Sequence, residues 1–269
     1  MVLATWVHKY LIVIKVCALS WAQGGGDIQS GSRPMSPLAS HQPIQIPLAD
    51  RASAGQALAG MLRKYRQRRD VLVLGLPRGG VPVAYEVATA LDVRLDVWLV
   101  RKLGVPDYPE LALGAIADAG VRVLNPDVVR KYHLTQPAIE LVAARETLEL
   151  QRRQRVYRGH RPPAQITGQQ VIVVDDGLAT GATMQAAVQS IQRLLPARVI
   201  IAVPVAAADS LELLRSRVDE IVCPFAPDPL YAIGHWYADF TQTSDEQVLQ
   251  LLHAAWQREA RRPAQRPRT

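Results

Sequence analysis

The chain has 269 residues, 49% hydrophobic and 20% charged, with a formal net charge of +7. This is long enough for one large α/β domain with additions. The two cysteines, Cys17 and Cys223, lie far apart and match no metal-ligand spacing, which excludes a disulfide framework or a zinc site and fits a reducing cytoplasm. Much of the basicity sits in the C-terminal tail 258–269, where Arg258, Arg261, Arg262, Arg266 and Arg268 face only Glu259. The charge therefore argues for an anionic substrate as readily as for nucleic acid, and no nucleic-acid partner is expected.

Residues 1–45 read as a poorly ordered N-terminal extension, because Gly24-Gly25-Gly26 and the Ser, Gly and Pro residues through Pro37 cannot build a core. The apolar run within Tyr10 to Ala22 has a faint signal-segment look, but Lys15 interrupts it and it is too short to span a bilayer. A translation start at Met35 is the simpler account, and no membrane partner is expected.

The main domain is placed at 46–257. Asp50 is a fitting N-cap for a helix with Ala57, Leu58, Met61 and Leu62 on its apolar face. Val71 to Leu76 is a buried strand, followed by Pro77-Arg78-Gly79-Gly80 and a helix from Val81 to about Leu91. The two glycines let the backbone approach a ligand, Arg78 adds a fixed positive fork, and the helix presents its positive end, so this turn suits an anion. Leu95 to Val100 reads as the next strand, delivering Arg101 and Lys102 at its end, where ligands collect in open parallel sheets. Leu111 to Ala117 and Val121 to Leu124 flank Asp118-Ala119-Gly120 as a hairpin, and a charged helix follows from Thr135 to about Tyr157, with Glu149 and Arg153 spaced for an ion pair.

Val171 to Val174 is the most informative strand. Four apolar β-formers in a row indicate burial on both faces, and Asp175 and Asp176 stand at the strand's end. Leu178, Ala179, Thr180, Gly181, Ala182 and Thr183 then form a Gly-containing turn and the start of a helix, placed at Thr180, whose unpaired N–H groups favour an anion. The two carboxylates repel a phosphate and suit hydrogen-bond donors, such as vicinal ribose hydroxyls. One ligand with both ends is a ribose 5-phosphate. Acidic pairs after apolar strands also occur in receiver domains, phosphatases and Walker B sites, so the pair by itself leaves those open.

The remaining elements are a strand from Arg198 to Val205, a short helix with Asp209 and Glu212 as a capping box, a last strand from Glu220 to Cys223, an aromatic segment from Pro224 to Phe240, and a final helix capped by Ser244 and Gln247. Alternating strands and helices give a doubly wound, mainly parallel α/β sheet with helices on both faces.

At Val171 to Thr183 the chain resembles the type I phosphoribosyltransferases, whose signature is four hydrophobic residues, two acidic residues and a loop containing Thr-Gly. The resemblance implies that family's fold, with a flexible β-hairpin loop that closes over the substrates and a small hood holding the acceptor. It implies a homo-oligomer, expected to be a dimer, and transfer of a phosphoribosyl group from phosphoribosyl pyrophosphate (PRPP) to a nucleobase-like nitrogen acceptor, as in nucleotide salvage. By the same resemblance Asp175 and Asp176 would be catalytic and Leu178 to Thr183 would hold the 5-phosphate. Arg78, Gly79, Gly80, Arg101 and Lys102 would hold pyrophosphate, around a non-proline cis peptide at Pro77-Arg78. Mg2+ would be held mainly through PRPP, with no protein side chain directly on the metal. Trp236 or Tyr237 could stack on a flat acceptor. Two departures stand out: Ala179 occupies a position often held by a hydroxyl residue, and no lysine follows Lys131, which puts a 6-oxopurine acceptor in doubt. Two other functions remain: a non-catalytic PRPP-sensing protein on the same fold, and a phosphohydrolase that forms an aspartyl phosphate at Asp175 or Asp176.

Overall fold

A computed structural model describes residues 46–261. The N-terminal extension and the tail from Arg262 lie outside the described residues. Helix α1 (Arg51–Met61) starts at Asp50, whose carboxylate caps the Ser53 N–H while the Ser53 hydroxyl returns the bond. Strand β1 (Val71–Gly75) and helix α2 (Gly80–Leu91) follow, then β2 (Arg94–Val97). An antiparallel ribbon comprises β3 (Val100–Val105), β4 (Tyr108–Ala117) and β5 (Arg122–Leu124). Helices α3 (Pro126–Lys131) and α4 (Gln136–Arg158) lead to β6 (Gln170–Val174), α5 (Ala182–Gln192), β7 (Arg198–Ala202), α6 (Ala208–Arg215), β8 (Glu220–Val222) and α7 (Asp245–Ala260).

The central sheet has five parallel strands in the order β2-β1-β6-β7-β8, and the ribbon forms a separate antiparallel sheet, β3-β4-β5. Strands β1 and β6 lie side by side in register, with Gly75 opposite Val174, so both loops leave the sheet at the same edge. Because consecutive strand residues alternate in direction, Val71, Val73, Ile172 and Val174 pack against α1, α2, α4 and α7, while Leu72, Leu74, Val171 and Val173 pack against α5 and α6. Both faces are covered, as the uninterrupted apolar runs require.

Four local readings need correction. The strand read as Leu95 to Val100 ends at Val97: Trp98 and Leu99 turn the chain out of the sheet, so Arg101 and Lys102 lie within the ribbon. The hairpin strand read from Leu111 starts at Tyr108, with only Pro106 and Asp107 between β3 and β4. Asp209 and Glu212 form no capping box: α6 begins after Ala207 with no side-chain cap, and Glu212 pairs with Arg215. Helix α7 continues to Ala260, so Arg258 and Glu259 belong to it, and Glu259 pairs with Arg161.

A buried ion cluster fixes the point where the chain leaves the sheet. Arg158 Nε donates to Asp96 Oδ1 at 3.1 Å and Nη2 to Asp118 Oδ2 at 2.9 Å, and the same nitrogen also reaches the Val97 carbonyl. All three side chains are at most 3% exposed. Asp118 also accepts the Leu99 N–H at 2.9 Å and Asp96 accepts that of Val97 at 2.8 Å, so the carboxylates hold the bend itself. The cluster therefore ties β2, the ribbon and the end of α4 together. Arg158→Ala would leave two buried carboxylates uncompensated and should cost about 3–5 kcal/mol, read as a lower urea midpoint. A midpoint unchanged from the parent chain would remove the cluster from any role in the fold.

Candidate active site

The loops after β1 and β6 meet in direct contact. A Cβ added at Gly79 would overlap the Asp176 carboxylate, and one at Gly80 would lie 2.7 Å from the Val174 carbonyl and 2.8 Å from Asp175 Cα. Glycine at these two positions is thus a condition of close approach, and the Pro77-Arg78 peptide is cis. Arg78 is half-buried and takes no acceptor among the described residues.

Asp175 and Asp176 point into the space between these loops. Asp175 Oδ1 accepts the Asp176 N–H at 2.9 Å. Burial, and then repulsion from Asp176, holds the Asp175 carboxyl well above the usual carboxylate range. Asp176 Oδ2 accepts the Arg51 Nε–H at 2.8 Å, and the Tyr237 hydroxyl donates to the Asp176 carbonyl at 2.6 Å. Gly177 follows, with no room for a Cβ beside Ile233.

The turn after the acidic pair differs from the expected one in two respects. Gly181 takes φ +73°, a left-handed conformation that stops the helix from starting at Thr180, so α5 begins at Ala182. The Leu178 N–H is committed to the Val205 carbonyl at 2.9 Å and its side chain is buried, which takes Leu178 out of the set of free donors. The first bond inside α5 runs from the Gln185 N–H to the Gly181 carbonyl at 2.8 Å. The N–H groups ahead of it, from Ala179 to Thr183, find no carbonyl among the described residues and form an anion-seeking nest at the positive end of the helix. Thr180 and Thr183 are exposed on this turn, and the Ala179 carbonyl is held by the Ser210 hydroxyl at 2.5 Å.

Arg101 is not brought to this edge, and Lys102 reaches only its α5 side, away from the Gly79–Gly80 turn. Arg101 donates through Nε and Nη2 to Glu146 of α4, at 2.9 and 2.5 Å. Lys102 lines a cavity of about 610 Å³ between the ribbon and α5, together with Thr183, Gln185 and Gln189.

Two segments far apart in sequence form the roof. Leu48 pairs with Tyr237 as an isolated bridge, its N–H donating to the Trp236 carbonyl at 2.8 Å, while the Ala238 N–H donates back to Leu48 at 2.7 Å. Tyr237 is buried and its ring packs 4.9 Å from Phe240, so it offers no open face for a ligand. Trp236 is half-buried and stacks at 6.0 Å on Phe225. The contribution of residues 46–51, and of Arg51 above all, was missed in the sequence. The only signal there is a basic residue in the first turn of a helix, where the dipole disfavours it.

Among the described residues no helix is long and apolar enough to cross a membrane, and no cluster of three His, Cys, Asp or Glu side chains is poised around a metal.

Residues 48–229 match a family model described as phosphoribosyl transferase domain. Two proteins of Mycobacterium tuberculosis, named "Putative phosphoribosyl transferase Rv0571c" and "Putative phosphoribosyl transferase MT0597", are each 48% identical over 206 residues, 77% of this chain and 46% of theirs. The chain thus spans about half the length of these relatives. A solved structure, that of TT1426 from Thermus thermophilus, aligns at 44% identity with a TM-score of 0.70, over 76% of this chain and 97% of the other.

The upward displacement of Asp175 has a sign that can be tested. A carboxyl whose folded pKa is raised favours folding below its unfolded value and opposes it once pH exceeds the folded value. Asp175→Asn should therefore raise Tm at pH 8, by about 2–4 °C for each kcal/mol gained, and the gain should vanish near pH 3. A gain independent of pH would show that the charge is not its source.

Proposed function

The chain belongs to the phosphoribosyl transferase domain family, and from that membership we propose that it transfers a phosphoribosyl group from PRPP to a nucleobase-like nitrogen acceptor, releasing pyrophosphate. The observation that carries this reading is the packing of the Gly79–Gly80 turn against the acidic pair, with the nest at the start of α5 beside it. Two anion sites flank two carboxylates, which is the charge pattern of a ribose bearing phosphate at both ends.

In this reading the N–H groups from Ala179 to Thr183 and the hydroxyls of Thr180 and Thr183 take the 5-phosphate. Asp176, and Asp175 behind it, take the ribose hydroxyls and stabilise positive charge as the anomeric bond lengthens. Arg78 and the Gly79 N–H take the leaving pyrophosphate, while the Gly80 N–H is already given to the Leu76 carbonyl at 3.0 Å and Gly80 serves by its lack of a side chain. Arg101 would join them only on release from Glu146, and Lys102 only by movement of the ribbon. Closure of the ribbon would keep water from the ribosyl centre. The face of Trp236 is the remaining aromatic surface for a flat acceptor.

The residues present fit magnesium. Hard carboxylate oxygens stand at the ribose position, and magnesium retains water and prefers phosphate oxygens to a closed protein cage. When bound it would neutralise the pyrophosphate. In this reading the reaction belongs to nucleotide salvage and takes place in the cytoplasm.

The test is incubation with PRPP, magnesium and a panel of bases, following pyrophosphate. Acceptor-dependent release is expected. Tight PRPP binding with no turnover would favour a sensor instead, and a trapped aspartyl phosphate would favour a phosphohydrolase. Asp176→Asn should lower kcat about 100-fold or more with little change in KM for PRPP, because the charge acts mainly as the anomeric bond breaks. Unchanged turnover in that variant would sink the assignment. Thr183→Ala should instead raise KM for PRPP several-fold, by about 1 kcal/mol of lost hydrogen bonding.

A further inference from the structure

Arg51 opens α1, where a positive side chain meets the positive end of the helix. Three contacts hold it there. Its Nε–H donates to Asp176 Oδ2 at 2.8 Å, its Nη1 to the Thr241 carbonyl at 2.7 Å, and its guanidinium carbon lies 4.0 Å from the centre of the Phe240 ring. The two charged side chains are only 12% and 17% exposed, so this pair is well shielded from solvent. A Cβ at Gly79 would also come within 3.2 Å of Arg51 Nε. Guanidinium, glycine turn and carboxylate are therefore one packed unit.

The geometry divides the work of Asp176 between its two oxygens. Oδ2 is taken by Arg51, while no N–H group among the described residues reaches Oδ1. Arg51 is anchored at its far side by Thr241 and Phe240, so it fixes the plane of the carboxylate and leaves Oδ1 for a ligand. It also places a positive charge beside two carboxylates that are adjacent in sequence and repel one another.

We propose that Arg51 is the positioning residue of the acidic pair: it orients Asp176 toward the ribose hydroxyls and offsets the repulsion between Asp176 and Asp175. The inference rests on the phosphoribosyl-transfer reading above and assigns a residue on which that reading does not depend. Its first consequence is electrostatic. Arg51 works against the raised proton affinity of Asp175, in opposition to burial and to Asp176. The other charged or titratable groups around the pair are Arg78 on the adjoining turn, Asp239 in the roof, and Tyr237, whose hydroxyl burial pushes up and keeps neutral. Among the described residues only Arg51 forms an ion pair with either carboxylate.

The test compares Arg51→Gln and Arg51→Lys with the parent chain in two measurements. In the pH profile of kcat/KM for PRPP, Arg51→Gln should move the acid limb to higher pH by about half a unit or more and lower the plateau about 10- to 100-fold. Arg51→Lys should restore the position of the limb, since the charge remains. It should not restore the full plateau, since a lysine cannot bond Asp176 and Thr241 in the same fixed fork. The second measurement, Tm against pH, needs no substrate. The deficit of Arg51→Gln relative to the parent should be present at pH 7 and shrink as the pH is lowered. A plateau lowered with no movement of the limb, no rescue by lysine, or a Tm deficit constant across pH would each overturn the proposal. Absence of PRPP turnover in the parent would fail the functional reading, and the Tm profile would still decide the role of Arg51.

Discussion

The closeness of two backbones governs the architecture of this site. Strands β1 and β6 are neighbours in register, and the loops that follow them leave the sheet side by side. That adjacency would be useless if the first loop carried side chains, since any Cβ at Gly79 would displace the Asp176 carboxylate. Two glycines convert strand pairing into contact between the Pro77–Gly80 turn and an acidic pair. Much of the surrounding structure maintains that contact. The apolar faces of β1 and β6 clamp the strands between two helix layers, and the ion cluster of Arg158 holds the bend from which the ribbon starts.

Charge at the site is arranged by sign along the sheet edge. The nest opening α5 is positive by virtue of backbone orientation, which needs no titratable group, and the Pro77–Gly80 turn is positive through Arg78. The two half-buried carboxyl groups between them repel one another, and a single arginine supplied by the roof offsets that repulsion. Placing like charges together in a dry pocket costs stability in the empty protein. The same arrangement leaves few reorganisation steps when a ligand of complementary charge arrives.

The sequence was legible where one local pattern decides one local structure. The apolar runs Val71 to Leu74 and Val171 to Val174 became the paired central strands, and Asp50 and Ser244 became helix caps. It misled where the deciding contact is distant. Leu95 to Val100 is apolar throughout except for Asp96, yet the strand stops at Val97 because Asp96, Asp118 and Arg158 bind the bend, and those three are scattered over more than sixty positions. Arg101 follows an apolar strand pattern but is claimed by Glu146 on α4. Leu178 sits inside the motif, yet its N–H is used by Val205, beyond the end of β7. Motifs name residues near a ligand; they do not say which of their polar groups the fold has already used.

The roof joins Leu48 and Arg51, at the start of the described chain, to Trp236 through Thr241, near its end. This has a consequence for the order of events during synthesis. The sheet, the acidic pair and both turns can be complete once β8 has emerged from the ribosome, but the arginine beside Asp176 lacks its anchors until Phe240 and Thr241 follow. An elongating or prematurely ended chain would therefore carry the motif in full while its carboxylates stay unbalanced, so competence is withheld until nearly the whole domain has been made.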